Sequence, residues 1–262
     1  MKDLAVFLSG TRVGTLSQSA GLSFAYDEDY LAQQDPTPLS LSMPLRGAPF
    51  GNRVTRSWVE GLLPGDPRVR ARVAARGEVK ASNPLAVLSI IGLDCPGAVQ
   101  VCEVDRTDEV RHDGLLVPVD EAWIGARLAL LRRDDAAWQV ADERWSLGGG
   151  QSKFTLARGI DGQWYDPRGA APSTHIVKPG VHHAKHQALN EHVSLIALRG
   201  LGIPVAPSRY VEFDGELAIV VERFDRGRQG PTVVRRHAED LCQALGNQTI
   251  YEREADRPPR RS

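Results

Sequence analysis

The spacing of apolar residues changes repeatedly along this chain, and each change predicts an element. Leu4 to Leu8 is a continuous apolar run, Ser9-Gly10 a turn and Val13 to Leu16 the return, which together predict a hairpin. Phe24 and Tyr26, two apart, predict another strand before Asp27 to Asp29. Pro36 to Phe50 holds four prolines and reads as extended chain with Leu39, Leu41 and Met43 pointing one way. Trp58, Leu62 and Leu63 fall at helical spacing, and Pro64-Gly65-Asp66-Pro67 stops that helix. Arg68 to Ala75 reads as a short basic helix with Val69 and Val73 a turn apart. Asn83-Pro84, an N-cap followed by proline in the first helical position, starts a helix through Leu85, Leu88 and Ile91 that ends at Gly92. Gly97 to Val104 then alternates as a strand.

The second half begins with a polar stretch, Arg106 to Gly114, read as a linker. Asp120 caps a helix carrying Trp123, Ile124, Leu128, Leu130 and Leu131, and Arg132-Arg133 suit its negative end. Phe154 to Ala157 is an apolar run, with Asp161-Gly162 as a two-residue hairpin signal before Trp164-Tyr165. Thr174 to Lys178 is a short β-branched run ending on lysine. A helix around Asn190-Glu191 has Leu189, Val193, Ile196 and Ala197 as its apolar face, and Leu217 to Val221 is a further strand. Arg253 to Ser262 is basic, proline-rich and nearly free of apolar residues, so it is expected to be disordered. The pattern divides the chain into residues 1–105, a linker and bridging helix at 106–143, a unit at 144–252 and a tail at 253–262. The expected class is α+β, with a β-rich first unit.

Composition narrows the options. With 262 residues, 42% hydrophobic and 25% charged, the chain suits one or two globular domains. A net charge of −1 argues against nucleic-acid binding by bulk charge. Cys95, Cys102 and Cys242 form no C-x-x-C pair and suit a reducing compartment. The first residues lack a signal-peptide apolar region, and no apolar run nears the roughly eighteen residues that cross a bilayer, so a cytoplasmic location is expected.

Candidate chemistry concentrates between Trp145 and Arg226. Gly148, Gly149 and Gly150 let backbone N–H groups approach phosphate oxygens with no Cβ in the way. Gln151, Ser152 and Lys153 complete that loop. Lys178 at a strand end can pair with phosphates, and Glu191 on the following helix can hold it in place. Glu222 and Phe224 follow the last strand, where backbone groups can meet an adenine edge. Each feature also has an ordinary reading: a flexible turn, a solvated lysine, an exposed helical glutamate, a capped strand end with Phe224 in the core. Their order, loop, strand, strand-lysine, helix-glutamate, strand and hinge, is that of a kinase N-lobe. The loop is not a Walker A motif, because no helix follows it. His182, His183 and His186 lack a Cys or carboxylate companion at suitable spacing and read as a solvated helix start rather than a metal site.

Ser146 to Lys153, Thr174 to Lys178, Asn190-Glu191, Glu222 to Arg226 and Glu239 to Gln243 together resemble HipA, the serine/threonine kinase toxin of bacterial toxin–antitoxin modules. Pro38 to Leu45 resembles a recurring stretch of the family's small β-rich N-terminal subdomain. The resemblance extends to about Glu252. It implies ATP with Mg2+ as cofactors, Lys178 as the ATP-binding lysine and autophosphorylation at Ser146. A phosphate there would add roughly two negative charges beside the nucleotide phosphates and expel the loop. The resemblance also implies a HipB-like helix-turn-helix antitoxin as partner, DNA reached only through it, and a substrate such as an aminoacyl-tRNA synthetase.

A kinase further needs a catalytic-loop aspartate, an asparagine and a metal-binding aspartate. No Asp-x-x-x-x-Asn run lies between Gly246 and Ser262. The expectation is therefore a kinase-like N-lobe without the helical C-lobe: a frameshifted or naturally truncated homologue that binds ATP weakly and transfers no phosphate. The competing expectations are a non-enzymatic module that holds an antitoxin or a full-length partner, and a poorly folded product of a decaying gene.

Overall fold

The computed structural model describes residues 2–111, 114–138, 143–180 and 186–247. The tail expected to be disordered, and His182 and His183, lie outside them.

Strands β1 (Leu4–Leu8), β2 (Thr11–Gln18), β3 (Leu22–Tyr26) and β4 (Val99–Glu103) form an antiparallel sheet in the order β3-β2-β1-β4. Three helices of the same unit follow the sequence signals closely: α2 (Asn52–Leu62), α3 (Pro67–Arg76) and α4 (Pro84–Ile91), after a single turn, α1 (Glu28–Leu31). Asp66 and Asn83 accept the backbone N–H of Arg68 and Ala86, and proline occupies the first position of both helices. Leu4, Val6, Leu16 and Phe24 of the sheet pack on Trp58 and Leu62 of α2 and on Leu88 and Ile91 of α4.

The proline stretch departs from expectation. Met43 N–H donates to the Ser40 carbonyl at 3.0 Å, closing a turn that reverses the chain. Leu39 and Met43 are therefore buried, while Leu41 is 75% exposed instead of sharing their side. The Tyr26 hydroxyl fixes this turn by donating to the Met43 carbonyl at 2.6 Å and accepting from Leu39 N–H at 2.7 Å.

The expected linker contains a short helix, α5 (Asp108–Arg111), tied by Glu109 to Arg144 at 3.1 Å. Beyond it, β5 (Leu115–Val119), β6 (Phe154–Arg158), β7 (Trp164–Arg168), β8 (His175–Lys178), β9 (Ser208–Phe213) and β10 (Glu216–Glu222) make a six-stranded sheet, ordered β5-β7-β6-β8-β10-β9. All its neighbours are antiparallel. The hairpin between β6 and β7 is not a two-residue turn. Gly159 N–H donates to the Gln163 carbonyl at 2.9 Å, so the loop is longer and Gly162 takes the left-handed position at φ +79°.

Helix α6 (Glu121–Arg133) lays Ile124, Leu128 and Leu131 on Phe154, Leu156, Val177, Phe213, Ala218 and Val220 of this sheet. Strand alternation turns Lys178 the other way, toward α7 (Gln187–Gly200). The expected apolar face of α7 is not a packed one among the described residues. Val193 and Ile196 are each 52% exposed, and Ala188 is the helix's buried residue. A hairpin of β11 (Arg226–Gln229) and β12 (Thr232–Arg235) and a short helix, α8 (Leu241–Leu245), complete the described chain. Asp240 and Gln243 form a capping box at α8, and Gln243 Nε2 donates to the Trp58 carbonyl at 2.8 Å, which gives this pair a structural role.

A buried ionic cluster joins the two units. Asp94, from the loop before β4, accepts from Arg223 at 3.3 Å, Arg226 at 2.8 Å, Arg235 at 3.1 Å and the Ser173 hydroxyl at 2.6 Å. Asp225 pairs with Arg223 at 2.7 Å and accepts Gly97 N–H at 2.7 Å. Burial alone would raise the Asp94 carboxyl, but Arg226, Arg223 and Arg235 hold it well below the usual carboxylate range. Burial pushes the neighbouring Cys95 thiol up to about 12, so it stays protonated.

Candidate functional site

The strand-end lysine and the helix glutamate meet. Lys178 Nζ lies 2.7 Å from Glu191 Oε1, with both side chains about four-fifths buried. The other carboxylate oxygen of Glu191 accepts from Gln187 Nε2 at 3.3 Å, and Gln187 Oε1 accepts from Gln151 Nε2 at 2.8 Å. One line of hydrogen bonds therefore runs from the lysine, along the first turn of α7, into the glycine loop. Gln187 has a role here that its position in the sequence did not signal, since a glutamine opening a helix is common.

The loop is held from below by the first unit. Gly65 N–H donates to the Gly149 carbonyl at 3.0 Å, and Gly149 has φ +85°, where a side chain would be strained. A Cβ on Gly148 would stand 3.0 Å from the Gly61 carbonyl oxygen. Gly150, Gln151 and Ser152 line a cavity of about 430 Å³, with the start of α7 (His186, Gln187) and Gly180 on its far side.

Two loop residues turn inward. Lys153, expected among the phosphate contacts, is 5% exposed, donates to the Gly148 carbonyl at 2.6 Å and stands 4.1 Å from the centre of the Trp138 ring. It pins the loop rather than facing its open side. Ser146 is fully buried; its hydroxyl donates to the Leu62 carbonyl, and its N–H to the Asp94 carbonyl at 3.1 Å. Phosphate cannot be accommodated on that oxygen while the loop stays in place.

Glu222 and Phe224 sit further along the sheet. Glu222 pairs with His175 and Ile219 with Lys178, so hinge and lysine are three strand residues apart, about 10 Å. Phe224 is 71% exposed and so not a core residue. Glu222 N–H is taken by the Pro207 carbonyl at 2.8 Å and Arg223 N–H by the Thr174 carbonyl at 2.9 Å. Among the described residues no acceptor meets the Phe224 N–H. Arg223, Asp225 and Arg226 of the same segment belong to the buried ionic cluster. The sequence marked them only as part of a recurrent string.

Comparison with known proteins places this arrangement. Residues 4–102 match the family model described as the HipA N-terminal domain, and residues 145–257 the one described as the HipA-like C-terminal domain. The chain belongs to the HipA family. It is 37% identical over 255 residues to the candidate kinase Y4mE of Sinorhizobium fredii, covering 94% of this chain and 60% of that protein. To the serine/threonine-protein kinase toxin HipA of Shewanella oneidensis it is 33% identical over 256 residues, covering 93% of this chain and 55% of that one. In three dimensions it matches the HipA of the Shewanella oneidensis complex of HipA, HipB and operator DNA, with a TM-score of 0.75 and 28% identity. That match covers 94% of this chain and 57% of the other. The chain thus spans somewhat more than half the length of the HipA relatives it matches. Among the described residues no helix is long and apolar enough to cross a membrane.

Proposed function

We propose that these residues form the nucleotide-holding part of a HipA-type serine/threonine kinase, the toxin of a toxin–antitoxin pair. The observation that carries this reading is the Lys178–Glu191 ion pair, joined through Gln187 to Gln151 of the glycine loop. A nucleotide would lie along the α7 side of the sheet. Gly148, Gly149, Gly150 and Gln151 would border its phosphates, Lys178 would neutralise them, and the Phe224 N–H beside Glu222 would meet the base. Among the described residues no group of His, Cys, Asp or Glu side chains is arranged to hold a metal, so no step through Mg2+ is assigned to them.

The 262 residues by themselves contain no Asp-x-x-x-x-Asn run after Gly246. For this polypeptide alone the proposal is ATP binding without transfer. Thermal stabilisation by ATP, lost in Lys178→Ala, supports the first half. Radiolabel from ATP appearing on Ser146 of the purified chain would overturn the second.

The partner proposed is a HipB-like helix-turn-helix antitoxin, with DNA reached through it in the cytoplasm, and the substrate of the whole kinase an aminoacyl-tRNA synthetase. A second reading, a non-enzymatic module for such an antitoxin or for another HipA chain, is favoured by the exposed apolar residues Val193, Ile196 and Leu201 on and after α7. Copurification with a coexpressed helix-turn-helix protein, unchanged by Lys178→Ala, would favour it.

A further inference from the structure

A second cavity lies at the His175 end of the six-stranded sheet, beyond the N-terminus of α6, with Arg199 near the C-terminal end of α7 on its rim. It measures about 590 Å³, the size of a small-molecule site. Arg158, Arg199, Arg209 and Arg228 line it, together with Glu121 and Glu222. Four guanidiniums against two carboxylates leave a surplus of two positive charges. None of the four arginines forms an ion pair among the described residues. Four arginines from four different elements border the cavity, three of them exposed, and their charges outnumber those of Glu121 and Glu222, so an anion entering it meets a positive potential.

The walls add shape. Trp164 stands edge-on to His175 with ring centres 5.0 Å apart and to Phe213 at 6.4 Å, which gives the cavity a rigid aromatic side. Arg158 lies over the Trp164 ring at 4.3 Å, and its carbonyl accepts from Arg228, so these two guanidiniums are fixed before any ligand arrives. His175 is driven down to about 4 by burial and by the nearby Arg158, Arg209 and Arg228, and so adds no charge at neutral pH.

We infer that this cavity binds a phosphate-bearing small molecule that also carries hydroxyl groups, the phosphate among the arginines and the hydroxyls on Glu121 and Glu222. Planar guanidiniums match phosphate oxygens in pairs, and carboxylates accept hydroxyl protons. The site is separate from the nucleotide region: it lies at the His175 end of β8, mostly on the α6 face with Arg199 contributed by the last turns of α7, whereas Lys178 lies at the other end of the strand beside the first turns of α7. The two regions come nearest at Glu222, whose side chain lines this cavity and which stands two residues before the Phe224 N–H.

Calorimetric titration of the full chain at physiological salt tests this, with inorganic phosphate and ribose 5-phosphate as probes. The expected result is saturable one-to-one binding, tighter for ribose 5-phosphate. Arg209→Gln, whose guanidinium makes no hydrogen bond or ion pair among the described residues, should weaken both probes about tenfold. Glu121→Gln should weaken ribose 5-phosphate alone. Lys178→Ala and Arg53→Gln, on the exposed surface of α2, should change neither. The inference is overturned by absence of saturable binding, by equal losses in Arg53→Gln and Arg209→Gln, which would mean bulk charge, or by loss in Lys178→Ala. Equal affinity for the two probes would overturn the role given to the carboxylates. Raising of the His175 pKa by ribose 5-phosphate, followed by NMR, reads occupancy in every variant that remains folded.

Discussion

Arg226 Nη2 lies 2.8 Å from Asp94 Oδ1, although 132 positions separate the two residues in the chain. Asp94 is the acceptor shared by three arginines, all contributed by the second unit. Replacing it with alanine leaves guanidiniums buried without their counter-charge, which costs about 3–5 kcal/mol. Asp94→Ala is therefore expected to shift the urea midpoint of the entire chain in one transition. A loss below about 1 kcal/mol, or melting of one unit alone, would contradict the cluster's role in joining the two.

Lys178→Ala should weaken nucleotide binding at least tenfold while leaving the fold nearly intact. Each side chain of the pair with Glu191 keeps about a fifth of its surface in water, so its loss should cost about 1–2 kcal/mol, between an exposed and a fully buried pair. Charge-assisted contacts to phosphate are stronger, so the affinity for ATP should fall tenfold or more. Glu191→Gln should fall less, since an amide oxygen can still accept from the lysine. Fluorescence titration with a labelled ATP analogue measures both, and unchanged affinity in Lys178→Ala would remove the nucleotide reading.

Ser146 gives opposite outcomes with its two simplest replacements. Ser146→Ala loses one buried hydrogen bond and should cost about 1 kcal/mol. Ser146→Asp faces the Leu62 carbonyl with a carboxylate and cannot stay where it is. Limited proteolysis should cut it between Ser146 and Lys153, where the parent chain is protected. Equal protection of Ser146→Asp and parent would show that the loop tolerates charge in place.

Stability should also fall as the solution is acidified from pH 6.5 toward 4. The pKa of His175 is about 4 in the folded chain against 6.5 unfolded, chiefly through burial, and that of His237 is lowered for the same first reason. Between those values the unfolded chain binds more protons, so protonation favours unfolding; the full contribution is present above pH 6.5. For His175 it amounts to at most about 3 kcal/mol. His175→Gln should flatten that limb of the stability–pH curve. An unaltered slope would assign it elsewhere.

Local chemistry made much of this legible in the sequence. Asn83-Pro84 and Asp66-Pro67 announce helix starts because cap and ring geometry act within three residues. Lys178 and Glu191 could be paired because the order of elements brings a strand end beside the next helix. What stayed hidden was decided at long range. Arg223 and Arg226 look like surface charges until Asp94 comes to them from the other unit, and Lys153 looks like a phosphate ligand until Trp138 and the Gly148 carbonyl claim it. β5 was missed because Leu115 to Val119 becomes a strand only by pairing with β7, and Leu41 was misplaced because one turn at Ser40 to Met43 reverses its side.

Gln187 and Glu191 stand one turn apart on the same rod, and the rod carries both the tether of the loop and the counter-ion of the lysine. Turning that rod by the width of a single residue would unhook both at once. Its far half carries Val193, Ile196 and Leu198 exposed on its outer side. A surface that covered Val193 and Ile196 would bear on the same helix that presents Gln187 and Glu191.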